Sequence, residues 1–139
     1  MDKMKLPPHS IEAEQSVLGA ILLEPDSIIK ASEIILPGDF YRSSHRIIYS
    51  TCREIYEDLS TTDILCLSER LKAKNELDKI GGVSYLADLL ATTPTAANIT
   101  HYAKIIREKA ILRRIAAWAY ELQEKASEEI GRASCRERV

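Results

Sequence analysis
Apolar residues in this chain recur at three- and four-residue spacing and never alternate for long, which predicts helices throughout. The pattern is longest over residues 95–130, a stretch without Gly or Pro. Ala, Ile, Leu, Glu, Lys and Arg fill most of it, largely good helix formers. One stripe there runs through Ile105, Leu112, Ile115, Ala119, Leu122 and Ala126, and a second through Ile99, Tyr102, Ala103, Ile106 and Ala110. A helix that is apolar on two faces needs cover on two sides. The preceding residues can cover one face, and the other reads as an assembly surface.

The upstream chain predicts five shorter helices. Residues 1–9 form an extended lead-in with a Pro7-Pro8 pair. Ser10 can cap the first helix, with Glu12 and Glu14 facing the positive end of its dipole. Ile11, Gln15, Leu18, Ile21 and Leu22 mark one face of that helix. Gly19 costs it about 1 kcal/mol relative to Ala, which points to close approach by another backbone. Pro25 ends it, and a second helix over 26–35 presents Ile28, Ala31 and Ile35. Leu36, Pro37, Gly38 and Asp39 are turn chemistry. Ser43 or Ser44 is expected to cap a third helix reaching about residue 58, with His45, Ile48, Cys52, Ile55 and Leu59 on one stripe. Thr62 or Asp63 caps a fourth, with Ile64, Leu67 and Leu71 inward. Residues 75–82 read as a loop punctuated by Gly81-Gly82. A fifth helix over 83–91 has Val83, Leu86, Ala87 and Leu90 as its apolar side. The expected fold class is all-α: a small bundle of about five helices over 6–94, then one long helix over 95–130. Periodicity stops at Gly131, and residues 131–139 fit either a short basic arm or, preferably, a remnant of the expression vector.

Composition narrows the function more than it defines it. A net charge of −2 does not suit a general clamp for nucleic acid. The lead-in has no apolar core of a signal peptide, and the longest apolar run, residues 17–23, is far too short to span a membrane. Cys52, Cys66 and Cys135 are odd in number, and no two have metal-ligand spacing. A reducing cytoplasm without disulfides or zinc is the expectation. No phosphate-cradling Gly-rich loop with Lys, no nucleophile elbow and no His-Glu-x-x-His motif occurs. His45 lies on an apolar stripe and reads as a packed histidine bonded to local backbone or Asp39. Glu12 and Glu14 point to different faces and do not form an acid/base dyad. Arg107, Arg113 and Arg114 could touch phosphate, which leaves a stand-alone helical DNA-binding module as the alternative function. A charged helix surface at an assembly seam fits the intervening glutamates better. The residues alone indicate a helical docking or assembly module, not an enzyme.

Taken together, the motifs resemble the N-terminal domain of bacterial replicative DNA helicases of the DnaB type. The matching residues are 8–15, reading PHSIEAEQ, then Val17-Leu18-Gly19, Asp39-Phe40-Tyr41 with His45, and Ile48-Tyr49. Gly81-Gly82 with Tyr85-Leu86 follows, then 93–99, reading TPTAANI, Tyr102-Ala103, Arg107-Glu108-Lys109 and Leu112-Arg113-Arg114. The resemblance spans about residues 6–130. It implies a non-catalytic collar domain of a hexameric ring helicase acting in the bacterial cytoplasm. The ATP- and Mg-dependent motor would lie outside this stretch, so no cofactor is expected here. The long helix would be the first arm of a helical hairpin that pairs with sister subunits. Leu112, Ile115, Ala119 and Leu122 would form that seam, while Ile99, Tyr102 and Ile106 pack on the head. The resemblance also implies docking of the primase C-terminal domain. Tyr85 is the first candidate contact, followed by Ala116, Tyr120 and Leu122, with DNA contact weak or absent and no membrane partner.

Overall fold
The computed structural model describes residues 6–137, with side chains described through residue 132. Among these residues there are six α-helices and no strand, in agreement with the all-α expectation. They are α1 (Ile11–Leu23), α2 (Ser27–Ser32), α3 (Ser43–Leu59), α4 (Ile64–Ala73), α5 (Gly82–Ala91) and α6 (Ile99–Glu137). Short 3-10 turns at Pro37–Asp39 and Asp78–Ile80 lie between them, the second inside the expected loop.

α1 is the central element and packs on α6, α5, α3 and α2. The Ser10 hydroxyl caps it by accepting from the Ala13 N–H at 3.3 Å, as expected. Its buried surface is wider than the expected face. Ala13, Glu14, Val17 and Ala20 are buried along with Leu18, Ile21 and Leu22, whereas Ile11 and Gln15 are only partly covered. A helix enclosed by four neighbours has little solvent face left, so periodicity alone misjudges it.

Several local expectations are revised for identifiable reasons. α2 ends at Ser32 rather than 35, where the Ile34 N–H turns back to the Ala31 carbonyl; Asp26 sits at its start without a capping bond, and its carboxylate accepts from the Tyr56 hydroxyl at 2.8 Å, tying α2 to α3. Ile28, Ala31 and Ile35 are buried nonetheless. Neither Ser43 nor Ser44 caps α3; Arg42 holds the cap position without a side-chain bond, and Glu14 from α1 accepts from the Tyr41 and Arg42 N–H groups just ahead of the helix. Leu59, the last residue of α3, swings into solvent before the left-handed Ser60. Asp63 caps α4, accepting from the Cys66 N–H at 2.7 Å; Leu67 and Leu71 are fully buried, and Ile64 partly so. In α5 the buried pair is Leu86 and Leu89, while Val83 and Ala87 are exposed and Leu90 is half-buried. The reason is the start of α5. Gly81 and Gly82 take positive φ angles of 106° and 75°, which admit a sharp entry and rotate the helix so that Leu89 meets the core.

The long helix begins at Ile99, four residues later than expected. The Thr95 hydroxyl accepts from the Ala97 N–H, and this local turn competes with the helical ladder. α6 then continues past Ile130 and through Gly131 to Glu137. One glycine costs about 1 kcal/mol, too little to stop a helix that is already propagating. The side chains of Cys135, Arg136 and Arg138 lie outside the described residues. Ile99, Ala103, Ile106 and Ala110 are buried on the head, as the second stripe predicts. Beyond Ala110 no α6 residue is buried among those described.

The head core gathers Val17, Leu18, Ile21, Ile35, Phe40, Ile48, Tyr49, Ile55, Leu67 and Leu86 around α1 and α3. The Tyr49 hydroxyl donates to the Ile35 carbonyl at 3.3 Å, and burial pushes its pKa up to about 12. Burial likewise pushes the Cys52 thiol up to about 12, which holds it in its unreactive protonated form.

Gly19 is where α1 meets α5 most closely. A Cβ there would lie 1.8 Å from Thr93 Oγ1 and 2.6 Å from the Leu89 carbonyl oxygen. Thr93 Oγ1 also donates to that carbonyl at 2.9 Å, so neither atom can retreat freely. Gly19→Ala should therefore destabilise the fold by about 1–3 kcal/mol despite its better helix propensity. Urea unfolding checks this; unchanged or increased stability would show that the contact is looser than described.

Candidate functional site
Two buried carboxylates organise the surface between the head and the root of α6. Both act on the corner at residues 36–42, which joins the first 3-10 turn to α3. Pro37 and Gly38 fold the corner tightly, and the Asp39 carboxylate turns back to accept from the Leu36 N–H at 2.9 Å. Asp39 is completely buried. Its carboxylate also accepts from Arg107 at 3.3 Å and Arg114 at 2.6 Å. These arginines are seven residues apart, two turns along one face of α6. Arg113, about 100° away, takes a separate path. It donates to the Asp39 carbonyl at 2.6 Å and the Pro8 carbonyl at 2.8 Å, and its guanidinium lies over the Tyr41 ring at 5.6 Å. His9 stacks on the same ring with centroids 4.2 Å apart. Burial draws the Arg113 pKa below its ordinary value, with the Glu14 carboxylate opposing that shift. The three arginines thus fasten the lead-in, the corner and α6 to one another. The charge-assisted bonds at Asp39 are of the stronger kind, and a buried carboxylate without them would carry a large desolvation cost.

Glu14 is the second carboxylate and is equally hidden. It accepts from the Tyr41 N–H at 2.7 Å and the Arg42 N–H at 3.4 Å. His45 Nδ1 lies 2.6 Å from it, and His45 Nε2 lies 2.6 Å from the Tyr85 hydroxyl. The carboxylate only accepts, which assigns a proton to Nδ1. Gln15 Nε2 donates to the same hydroxyl at 3.3 Å. This chain of polar groups links α1, α3 and α5 through the interior. His45 is therefore a packed histidine, but its partners are Glu14 and Tyr85 rather than local backbone or Asp39, whose oxygens the arginines occupy. A Tyr-His-Glu chain can polarise a hydroxyl where substrate reaches it. Here His45 has no exposed surface, and the arrangement serves to hold helices together. Among the described residues no group of three or more His, Cys, Asp or Glu side chains could hold a metal ion, and no helix is long and apolar enough to cross a membrane.

The expected seam and docking residues fall in two places. Leu112, Ile115, Ala116, Ala119, Tyr120 and Leu122 all lie on the uncovered part of α6 and are exposed. Tyr85 lies apart from them on the head, half-buried, with its hydroxyl engaged by His45 and Gln15. The geometry brings Arg107, Arg113 and Arg114 together, but on internal acceptors. Sequence reasoning passed over Trp118, the single tryptophan, which is 62% exposed on α6. Its signal was available: a lone indole among alanines, four residues from Leu122 and three from Ile115. From Ile111 to Leu122 the large apolar side chains are 40–67% exposed.

A family model described as the DnaB-like helicase N terminal domain matches residues 6–108. The chain belongs to that family. It is 45% identical over 111 residues to the replicative DNA helicase DnaB of Geobacillus stearothermophilus, covering 80% of this chain and 24% of that protein. It is 47% identical over 111 residues to the replicative DNA helicase DnaC of Bacillus subtilis (strain 168), with the same coverage. The chain thus spans about a quarter of the length of these curated relatives. Among solved structures, the N-terminal domain of DnaB helicase from Mycobacterium tuberculosis superposes with a TM-score of 0.85 at 38% identity, covering 88% of this chain and 85% of that one. A DnaB-like replicative helicase, described with its interactions with primase, gives 0.73 at 26% identity over 85% of this chain and 28% of that chain. The matched stretch contains Glu14, Asp39, His45, Tyr85 and Arg107, whereas the family model ends before Arg113 and the exposed rod.

Glu14 offers the sharpest test of the buried network in this DnaB-type domain. Glu14→Ala would strand the Tyr41 and Arg42 N–H groups and His45 Nδ1 without an acceptor. The expected loss is about 3–5 kcal/mol, read by chemical denaturation. A loss below about 1 kcal/mol would mean that water or another side chain replaces the carboxylate.

Proposed function
We propose that this domain is a non-catalytic collar element of a cytoplasmic, ring-forming replicative DNA helicase. It associates with copies of itself through α6 and offers a docking surface to the primase C-terminal domain. The observation that carries the proposal is the distal part of α6. Ile111, Leu112, Ile115, Trp118, Tyr120 and Leu122 all stand 40% or more exposed on one rod. All but Tyr120 fall on one side of the helix; contiguous exposed apolar surface of this kind marks an interaction site, and a lone helix in water gains little from propensity alone. The self-association seam is placed at Leu112, Ile115, Ala119 and Leu122, with Trp118 beside it as an anchor of the residue type that dominates interfaces. ATP hydrolysis, Mg and duplex unwinding belong, on this reading, to a motor domain of the parent helicase.

Primase docking is supported by the resemblance to the helicase whose structure is described with its primase interactions. The candidate contacts are Tyr85 on the head and Ala116, Tyr120 and Leu122 on the rod. Tyr85 can present one ring edge while its hydroxyl remains held inside. A stand-alone DNA-binding role for Arg107, Arg113 and Arg114 fits less well, because Asp39 and two backbone carbonyls engage all three guanidiniums. Phosphate would have to displace bonds that hold the rod to the head.

Sedimentation of the 139-residue chain should show a reversible dimer. Leu122→Glu and Trp118→Glu should each raise its dissociation constant at least about tenfold. A dimer indifferent to both would move the seam elsewhere. In a calorimetric titration with the primase C-terminal domain, Tyr85→Ala and Tyr120→Ala should weaken binding, while Tyr85→Phe, which keeps the ring, should not. Equal affinity for all variants would remove both tyrosines from the footprint.

A further inference from the structure
The charged residues along the second half of α3 divide by side. Glu54 and Asp58 reach across to α4, where Glu54 pairs with Lys74 and Asp58 accepts from Arg70 at 3.2 Å. Arg53 and Glu57, each one residue earlier, border a notch on the side of α2 instead. Neither makes an ion pair or a hydrogen bond among the described residues. Their i, i+4 spacing permits a direct pair, but a cation ahead of an anion is the weaker order on a helix. Arg53 is half-buried and Glu57 is exposed, so both heads are open to a ligand.

The notch between them and α2 has a volume of about 140 Å3. Ile28, which is buried, the half-exposed Ile29 and the Tyr56 ring supply its apolar lining, with Ser32 at the edge. The Tyr56 hydroxyl donates to the Asp26 carboxylate at 2.8 Å, which fixes that wall and occupies Asp26. The Ser32 hydroxyl donates to the Ile29 carbonyl at 2.9 Å. A space of this size holds one phenyl ring or one leucine side chain. An apolar hollow is thus bordered by one free guanidinium and one free carboxylate, a helical turn apart.

We propose that this notch binds a free apolar α-amino acid of leucine or phenylalanine size as its zwitterion. Arg53 donates to the ligand carboxylate, a match that guanidinium geometry favours. Glu57 accepts from the ligand ammonium, and Ile28, Ile29 and Tyr56 cover the side chain. An amino acid carries both charges and the side chain on one carbon, as the notch requires. The C-terminus of a polypeptide would leave Glu57 facing a neutral amide, and an N-terminus would leave Arg53 without a carboxylate. No lining residue belongs to α5 or α6, so the site is separate from the surfaces proposed for self-association and primase.

Titration of the isotope-labelled full chain with L-leucine, followed by NMR, tests the proposal. Amide shifts should concentrate at residues 28–32 and 53–57, with a dissociation constant on the order of 1 mM for so small a ligand. Leucinamide, which lacks the carboxylate, and N-acetyl-leucine, which lacks the ammonium, should each bind at least about tenfold more weakly. Glycine, which keeps both charges but has no side chain, should do the same. Arg53→Gln and Glu57→Gln should each weaken leucine binding by a similar factor. Both side chains reach solvent, and an otherwise unchanged spectrum verifies that the fold persists. N-acetyl-leucine binding as tightly as leucine would overturn the free amino acid in favour of a polypeptide C-terminus. Shifts scattered away from α2 and α3, or none at about ten times the expected dissociation constant, would overturn the site.

Discussion
A fully buried aspartate held between two arginines of another helix sets the direction of the most exposed part of this molecule. Asp39 has no contact with solvent, while Arg107 and Arg114 keep about two-fifths of their side chains exposed. Such an arrangement adds little to stability beyond offsetting the cost of burying the charge. Its value lies in geometry. Two guanidiniums spaced by two helical turns and converging on one carboxylate favour one rotation of α6 about its axis and one position along it. Apolar contacts of Ile99, Ala103 and Ile106 with the head are less demanding, since apolar packing tolerates small slides. The ion cluster and this packing together set which face of the rod is left outward.

Glu14 plays the corresponding part within the head. It holds the segment leading into α3, gathering the Tyr41 and Arg42 N–H groups and the His45 ring from 27 to 31 residues away. The two acids act on successive residues of one corner, Asp39 through its own carboxylate and Glu14 on the N–H groups of Tyr41 and Arg42. The corner is thus braced from α1 on one side and from α6 on the other. The lead-in joins the same assembly through the Pro8 carbonyl, His9 and Arg113. This dense polar crossing explains why a near-neutral protein concentrates three arginines in eight residues of α6: they meet internal acceptors, and little of their charge is available to phosphate.

Much of the secondary structure was legible because it depends on neighbours in sequence. Ser10 and Asp63 cap as their residue types predict, Gly19 marks a close helix approach, and the stripe Ile99 to Ala110 faces the head. What escaped depends on contacts distant in the chain. The partners of His45 lie 31 and 40 residues away, and nothing near position 45 distinguishes Glu14 from Asp39 as its acceptor. Glu14 itself looked like an ordinary first-turn acid, because helix-dipole reasoning explains a glutamate there without requiring burial. The face of α5 was misjudged by one residue since two glycines at positive φ rotate its entry. In the exposed rod the difficulty was opposite. Several residues satisfy more than one helical stripe, and attention to the 112-115-119-122 line hid Trp118 on the adjacent one.

The two faces of α6 answer to different constraints, and the boundary between them is sharp. Up to Ala110 the helix is fastened by core packing and then by the arginines, the last of which is Arg114. Past that point 23 further residues, through Glu137, remain helical, and those whose side chains are described, through Arg132, are all exposed. Propensity from Ala, Leu, Glu and Lys can keep such a segment partly helical but does not explain Ile111, Ile115, Trp118 and Leu122, which a solvated helix would do better without. Polar replacements at these positions would keep the helix equally well and remove the hydration cost of the apolar groups. Their presence, together with the root that aims them, fits the covering partner proposed for this face.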